Sequence, residues 1–301
     1  MKRTALALGA ACLLTAASLG CGLTARQKLV LADFSKSAAT VGEATSGELK
    51  TFREKGIQAN TQVIVLKGES PIPGLPQLGS LDRGYELSRV QPVIRAADAL
   101  AAYGQTMAAL VNDTQTSDIK KASTDLMQSL GQLPEVKAHL AAEQLDAFGT
   151  VIQEIGGIWV ERKRKQAVLM LVDRFGPAVD RLCDRLIQDF SAGPTPAKGW
   201  VYLQLQLTTE RLEVAVYDQF TASATYRDRQ LALDTYLLTN DLRAHRDEVC
   251  ARISEAAAAM KRANASLMRT IHEDQPSMEE LKELSERAGT LQSALVILRH
   301  K

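Results

Sequence analysis

Four histidines and four cysteines are the side chains of this 301-residue chain best suited to chemistry, and their spacing limits what they can do. His139, His245, His272 and His300 stand far apart, and none has a cysteine or second histidine at ligand spacing. No His-Glu-x-x-His or paired-cysteine zinc pattern therefore exists. His245 falls on an apolar seam, where a histidine satisfied by its neighbours is the expectation. Ser117-Asp118-Ile119-Lys120 has the Ser-x-x-Lys form of penicillin-binding enzymes, but the companion motifs are missing and one such match arises by chance. Gly-x-Ser-x-Gly, phosphate-loop and dinucleotide-binding motifs are absent. Acids such as Glu143, Glu154 and Glu161 would have to converge in a cleft to do acid–base work. The expectation is no cofactor, no metal and no catalysis.

Cys21 has a different context. Met1-Lys2-Arg3 is basic, Thr4 to Ala25 carries no charge, and Leu6, Leu8, Leu13 and Leu14 form an apolar centre. Small residues then gather ahead of Cys21, which is the layout of a secretory signal. The stretch Ala17-Ser18-Leu19-Gly20-Cys21 resembles the lipobox of bacterial lipoproteins, with Gly at −1 and Leu at −2, and Ser18 where Leu is usual. The resemblance covers about the first 22 residues. It implies cleavage before Cys21, a diacylglycerol thioether on Cys21 and acylation of the freed amine, a multi-chain anchor that holds where a single chain would be marginal. Gly22 after that cysteine implies sorting to the outer membrane, facing the periplasm. Three other readings stay open: cleavage by ordinary signal peptidase, leaving a soluble protein, retention of the uncharged stretch as an anchor, and a helix of the folded body.

With Cys21 acylated, Cys183 and Cys250 remain in an oxidising compartment, and a disulfide between them is a candidate. The other reading is two buried, unpaired thiols. Ile155-GGIWV-ERKRK-QAVLMLV172 is the most unusual interior stretch, two apolar runs around Arg162, Lys163, Arg164 and Lys165. It suits contact with anionic lipid or an acidic partner, or insertion into a bilayer. A solvated face interrupting a buried helix explains it as well.

The elements that must position these residues read as helices. The chain is 46% hydrophobic but 5% aromatic, and its Ala and Leu favour helix over strand. Residues 26–55 have helical spacing, and Val63–Leu66 reads as a helix end, with a short strand as the alternative. Pro71, Pro73 and Pro76 place a loop over 67–82. Leu87, Val90, Ile94, Ala97, Ala101, Gly104, Ala108 and Val111 form a heptad seam whose small residues admit a close partner. Helices follow over 117–130 and from Pro134, with Leu145, Phe148, Ile152, Ile155 and Trp159 as the buried stripe. Gly176-Pro177 predicts a break or bend, and 192–196 a chain reversal. Trp200 to Gln275 holds neither Gly nor Pro over 76 residues. Val201, Leu203, Leu205 and Leu207 alternate as in a strand, but the sequence after them favours helix. A break near Thr221–Thr225 leaves a second helix of about 48 residues. Ser277 and Glu280 form a capping box for the last helix, which needs the preceding long helix as a hairpin partner.

The fold class expected is all-α, an elongated antiparallel helical bundle with coiled-coil-like long helices. Residues 1–20 are read as signal and 21–301 as one domain, with 26–191 and 199–301 as sub-bundles. Without residues 1–20 the chain has 34 basic and 35 acidic residues, no footprint of a nucleic-acid binder. The function expected is binding or scaffolding in the cell envelope, through a lipid anchor in the membrane and a protein partner or self-association along helical seams. The alternatives are a membrane-active protein using 155–172 and a small-ligand sensor or carrier.

Overall fold

The computed structural model describes residues 22–66, 81–112, 115–133, 136, 142–155, 160–193, 198–222, 225–273 and 278–299. Among these residues every regular element is helical, and the fold is an all-α bundle of eight packed helices. They are α1 (Ala25–Leu66), α2 (Leu87–Val111), α3 (Thr116–Gly131), α4 (Ala142–Gln153), α5 (Val160–Met170, Leu171–Phe175 and Gly176–Phe190), α6 (Trp200–Ala222), α7 (Tyr226–Ala244, His245–Val249 and Cys250–Glu273) and α8 (Met278–Arg299).

A Thr-x-x-Gln capping box starts α1. The Thr24 amide donates to Gln27 Oε1 (3.0 Å) and the Gln27 amide to Thr24 Oγ1 (3.1 Å), which satisfies two otherwise orphaned donors. The helix then runs 42 residues and takes in Val63–Leu66 as its end. Against it lies α2, antiparallel, and the seam of small residues does bring the two backbones together. A Cβ on Gly42 would sit 2.4 Å from the Ala101 nitrogen, and one on Gly104 would sit 2.5 Å from the Ala39 nitrogen. The two glycines are reciprocal notches at one crossing. Most of the α2 seam is buried, but Leu87, in the first turn, is exposed.

In α5 the expected break at Gly176-Pro177 takes the form of a π turn at Leu171–Phe175 in a helix that stays continuous. Pro177 lacks an N–H, and a widened turn just ahead of it accommodates the lost bond and the ring. The 201–207 stretch is helical, and the break near 221–225 separates α6 from α7. The three segments of α7 hold 19, 5 and 24 residues, the length expected, with a second π turn at His245–Val249 that the sequence does not announce.

One buried cluster runs from Val30 on α1 to Leu298 on α8, so the core is continuous across both halves of the chain. Asn264 on α7 ties three helices inside it. Its Nδ2 donates to the Gly176 carbonyl (3.1 Å) and Asp180 Oδ1 (2.9 Å), and its Oδ1 accepts from Tyr103 Oη (3.3 Å). The terminal helix folds back on α7 as a hairpin, bridged by Arg262–Glu283 (2.6 Å) and Arg287–Glu255 (2.7 Å). The loop assigned to 67–82 lies mostly outside the described residues, as do 194–196, Pro134, Trp159 and the Ser277 cap.

Candidate functional site

Cys21 lies outside the described residues, with His139 and His300. The candidate bridge between Cys183 and Cys250 is not formed: both are buried free thiols, and burial pushes both pKa values up. The helix register is the reason. Opposite Cys183, Lys261 on α7 pairs with Asp184 (2.6 Å) and Asn264 with Asp180. Cys250 is then about 16 Å further along α7 at 1.5 Å per residue, well beyond the ~7 Å Cα limit of a disulfide.

The four cations of 162–165 do not form one face. Arg162 is exposed and Lys165 half-buried, while Lys163 pairs with Glu154 across the α4–α5 junction. Arg164 is buried, donates to the Asn112 carbonyl (3.3 Å) and lies 3.8 Å from Glu161. Glu161 also meets Lys28 of α1 at 3.1 Å. The acids Glu154 and Glu161 are thus held by cations, and Glu143 is exposed; the three do not converge. Ala167, Val168, Leu171 and Val172 fill the core. Ser117 and Lys120 sit exposed on α3. His272 Nε2 lies 2.7 Å from Asp173 Oδ1. Among the described residues no group of three metal-ligating side chains could hold an ion, and no helix is long and apolar enough to cross a membrane. A recess of about 250 Å³ between α1 and α8, lined by Thr40, Glu43, Ala44, Gln292, Leu295 and Val296, is half open to solvent.

Two features stand out instead, both on the α6/α7 hairpin. At its root His245 occupies the π turn and is buried, as its place on the seam led one to expect. Its Nδ1 lies 3.0 Å from the Asp241 carbonyl, placing the proton on Nδ1, and its Nε2 lies 3.4 Å from Lys55 Nζ and 3.5 Å from Glu48 Oε1. Lys55 in turn donates to Asp241 Oδ2. Burial and the Lys55 charge lower the His245 pKa, so the ring is neutral near pH 7. Further out, Thr235 Oγ1 donates to Gln62 Oε1 (3.4 Å). The α7 arm of the hairpin thus meets α1 through these polar contacts, while on the α6 arm Trp200 packs against Phe52 of α1. The sequence signal for this cluster is two charges, Glu48 and Lys55, at the spacing of the apolar stripe of α1.

The second feature is the outer face of the hairpin. On α6, Val201, Leu205, Leu212 and Ala215 are buried, while Leu207, Val214, Tyr217 and Phe220 are exposed. At 3.6 residues per turn Leu203, Leu207 and Val214 project roughly 180° from Leu212. On the first segment of α7 the buried residues are Ala232, Thr235, Thr239 and Leu242, while Tyr226, Leu233, Tyr236 and Leu237 are exposed. Tyr226 is 84% and Tyr217 70% exposed. Glu213 and Arg243 pair across the groove between the helices, so both apolar stripes lie on the side turned away from α1. Contacts pairing Gln62 with Thr235, Lys55 with Asp241 and Glu48 with His245 run antiparallel. Continuing that register carries the Tyr226 end of the hairpin past Leu66, to the opposite end of the molecule from Ala25. Comparison with family models, curated proteins and solved structures finds no match to this chain.

Proposed function

We propose that this chain is a lipid-anchored cell-envelope protein that acts by binding or scaffolding another protein, not by catalysis. The outer face of the α6/α7 hairpin carries the reading. Soluble monomers rarely leave contiguous apolar patches above a few hundred Å² in water, and larger ones mark interaction sites. Here the inner face of each helix already meets the bundle, so the outward Leu, Val, Tyr and Phe side chains have no role in folding the single chain.

The anchor reading fits the same geometry. Only Gly22–Thr24 separate Cys21 from α1, a spacer of about 10 Å at full extension. An acylated Cys21 would therefore hold the α1 end close to the lipid, and Gly22 favours the outer membrane. A 42-residue helix is about 63 Å long, so an upright, elongated bundle would present the hairpin tip about 70 Å away, in the periplasm. The membrane-active alternative is less well supported, because freeing 155–172 would strip Val168, Leu171 and Val172 from the core.

Mass analysis of the mature N-terminus tests the anchor: a diacylglyceryl Cys21 is expected, and an unmodified Cys21 or cleavage elsewhere refutes it. For the binding role, tagged protein is purified from membranes with and without Tyr217→Glu and Leu237→Glu. A partner held through the hairpin, this chain included, is lost with the double variant. Capture that ignores both substitutions would move the binding role off the hairpin.

A further inference from the structure

We infer that the anchored end of the bundle binds anionic phospholipid headgroups, through a basic tip where the start of α5 meets the start of α1. The inference rests on the acyl anchor proposed at Cys21. Residues 21 and 162 are remote in sequence, and the fold brings their neighbourhoods together. A Cβ on Gly22, the residue after Cys21, would lie 3.7 Å from the Glu161 Cβ, and Lys28 meets Glu161 at 3.1 Å. Arg164 donates to the Asn112 carbonyl at the end of α2. The chain therefore leaves the lipid directly against the first turn of α5.

Charge is uneven at this tip. Glu154 and Glu161 are already held, the first by Lys163 and the second by Lys28 and Arg164. Arg26, Arg162 and Lys165 have no ion-pair partner among the described residues; the two arginines are exposed and the lysine is half-buried. The start of α3, tied to α2 where Thr106 Oγ1 donates to the Ala122 carbonyl (2.9 Å), adds the exposed Lys120 and Lys121 against Asp118. The acidic start of α8, with Glu279 and Glu280, is set back from the tip. α7 ends beside His272, level with Asp173, which is about 12 Å along α5 from Lys165. The run 162–165 is thus no patch by itself, but two of its members join Arg26 in one. Free guanidinium and ammonium groups at the membrane take phosphate oxygens. Leu29, 66% exposed and one turn along α1 from Arg26, adds an apolar side chain at the same end. The tether selects lipid over an acidic protein, because it holds headgroups at high effective concentration against these residues.

The mature chain, purified from membranes, is reconstituted into vesicles of phosphatidylcholine alone or mixed with phosphatidylglycerol, with a collisional quencher on a small fraction of headgroups. A fluorophore is attached to Gln166→Cys, exposed beside Lys165, or to Tyr226→Cys at the far end of the hairpin; Cys183 and Cys250 are buried and stay unlabelled. The label at 166 should be quenched more in the phosphatidylglycerol mixture, and the difference should fade as salt rises. The label at 226 should escape quenching in both. Arg162→Glu with Lys165→Glu should cut the docked population in the mixture by about tenfold or more, and Arg162→Lys should keep it. Thermal melts in detergent check that the reversed pair folds. Arg162→Gln with Lys165→Gln, a milder change, should give a smaller loss in the same direction. Quenching at 166 that is equal in the two lipids, or untouched by the reversal, would overturn the inference, as would a label at 226 quenched more than one at 166. Retention on phosphatidylcholine vesicles reads the anchor alone. A chain that is not retained refutes the anchor and this inference with it, whereas a retained chain with lipid-independent quenching refutes only the headgroup contact.

Discussion

The two ends of α7 belong to one helix and are built on opposite logic. From Cys250 to Glu273 the buried side is mostly apolar, with Ile253, Ala256, Met260, Ala263, Leu267 and Ile271 beside the polar Asn264, Ser266 and Thr270. From Tyr226 to Ala244 the buried side is Ala232, Thr235, Thr239 and Leu242, and the large side chains, Leu233, Tyr236 and Leu237, face water. A helix that serves only its own core puts its Leu and Tyr inward, because that is where apolar area stabilises. The first half does both: Leu242 and the half-buried Leu238 face the core, while Leu233, Tyr236 and Leu237 face water. Size and burial are decoupled there, as expected where a second surface must be satisfied outside the chain.

The strongest test of that contrast is a pair of truncations at either end. Leu267→Ala, at a fully buried site, should cost about 3 kcal/mol, within the 2–5 usual for core leucines. Leu237→Ala should change the stability of the monomer by no more than about 0.5 kcal/mol. Denaturant melts on dilute protein read both, and equal losses would mean that the hairpin face belongs to the core after all.

How the hairpin was missed in the sequence follows from the same contrast. The alternation of Val201, Leu203, Leu205 and Leu207 looks like a strand because period two puts apolar residues on two faces; a helix with an inner and an outer apolar face produces the same short pattern. The 48-residue length of α7, the break at 221–225 and the α1–α2 seam were legible, since breakers and small residues at helical spacing are local signals. The fate of Cys183 and Cys250 was not. It depends on the register of α5 against α7, which Asn264, Asp180, Lys261 and Asp184 fix only once the helices meet. The basic run 162–165 failed as one patch for a similar reason. Lys163 is claimed by Glu154 and Arg164 by the Asn112 carbonyl and Glu161, while Arg162 stays exposed. Glu48 and His245 are 197 positions apart, so their meeting leaves no local trace.

The polar root of the hairpin sharpens the comparison further, since the buried Asn264 junction in the other half of α7 holds no histidine. His245 is buried with a lowered pKa and faces Glu48 and Lys55 on α1 and Asp241 on its own helix. The unfolded chain takes up the proton first as pH falls, because its histidine titrates near 6.5. The contribution of His245 is therefore complete above about 6.5 and is lost as pH falls through the lowered folded value. Thermal melts between pH 7.5 and 5 should show wild type losing stability relative to His245→Gln, which lacks the titration. Parallel curves would show that the root is indifferent to protonation.

The smallest effect expected lies at the apolar end, in the ion pairs that decorate the α7–α8 hairpin. Arg262 and Glu283 meet at 2.6 Å with half the arginine side chain in water, and Arg287 and Glu255 at 2.7 Å are similarly placed. Exposed pairs contribute about 0.2–1 kcal/mol and are screened by salt. What holds α8 is its buried stripe of Leu281, Leu284, Ala288, Leu291, Leu295 and Leu298. Arg262→Ala should therefore lower stability by about 0.5 kcal/mol at low salt and by less at 0.5 M salt. Arg229→Ala, exposed on the first segment of α7, should change the dilute monomer by no more than about 0.5 kcal/mol at either salt concentration. A salt-dependent loss at Arg229 as large as that at Arg262 would mean that the first half of α7 is braced by charges as the second is, and the contrast between the two halves would have to be drawn the other way.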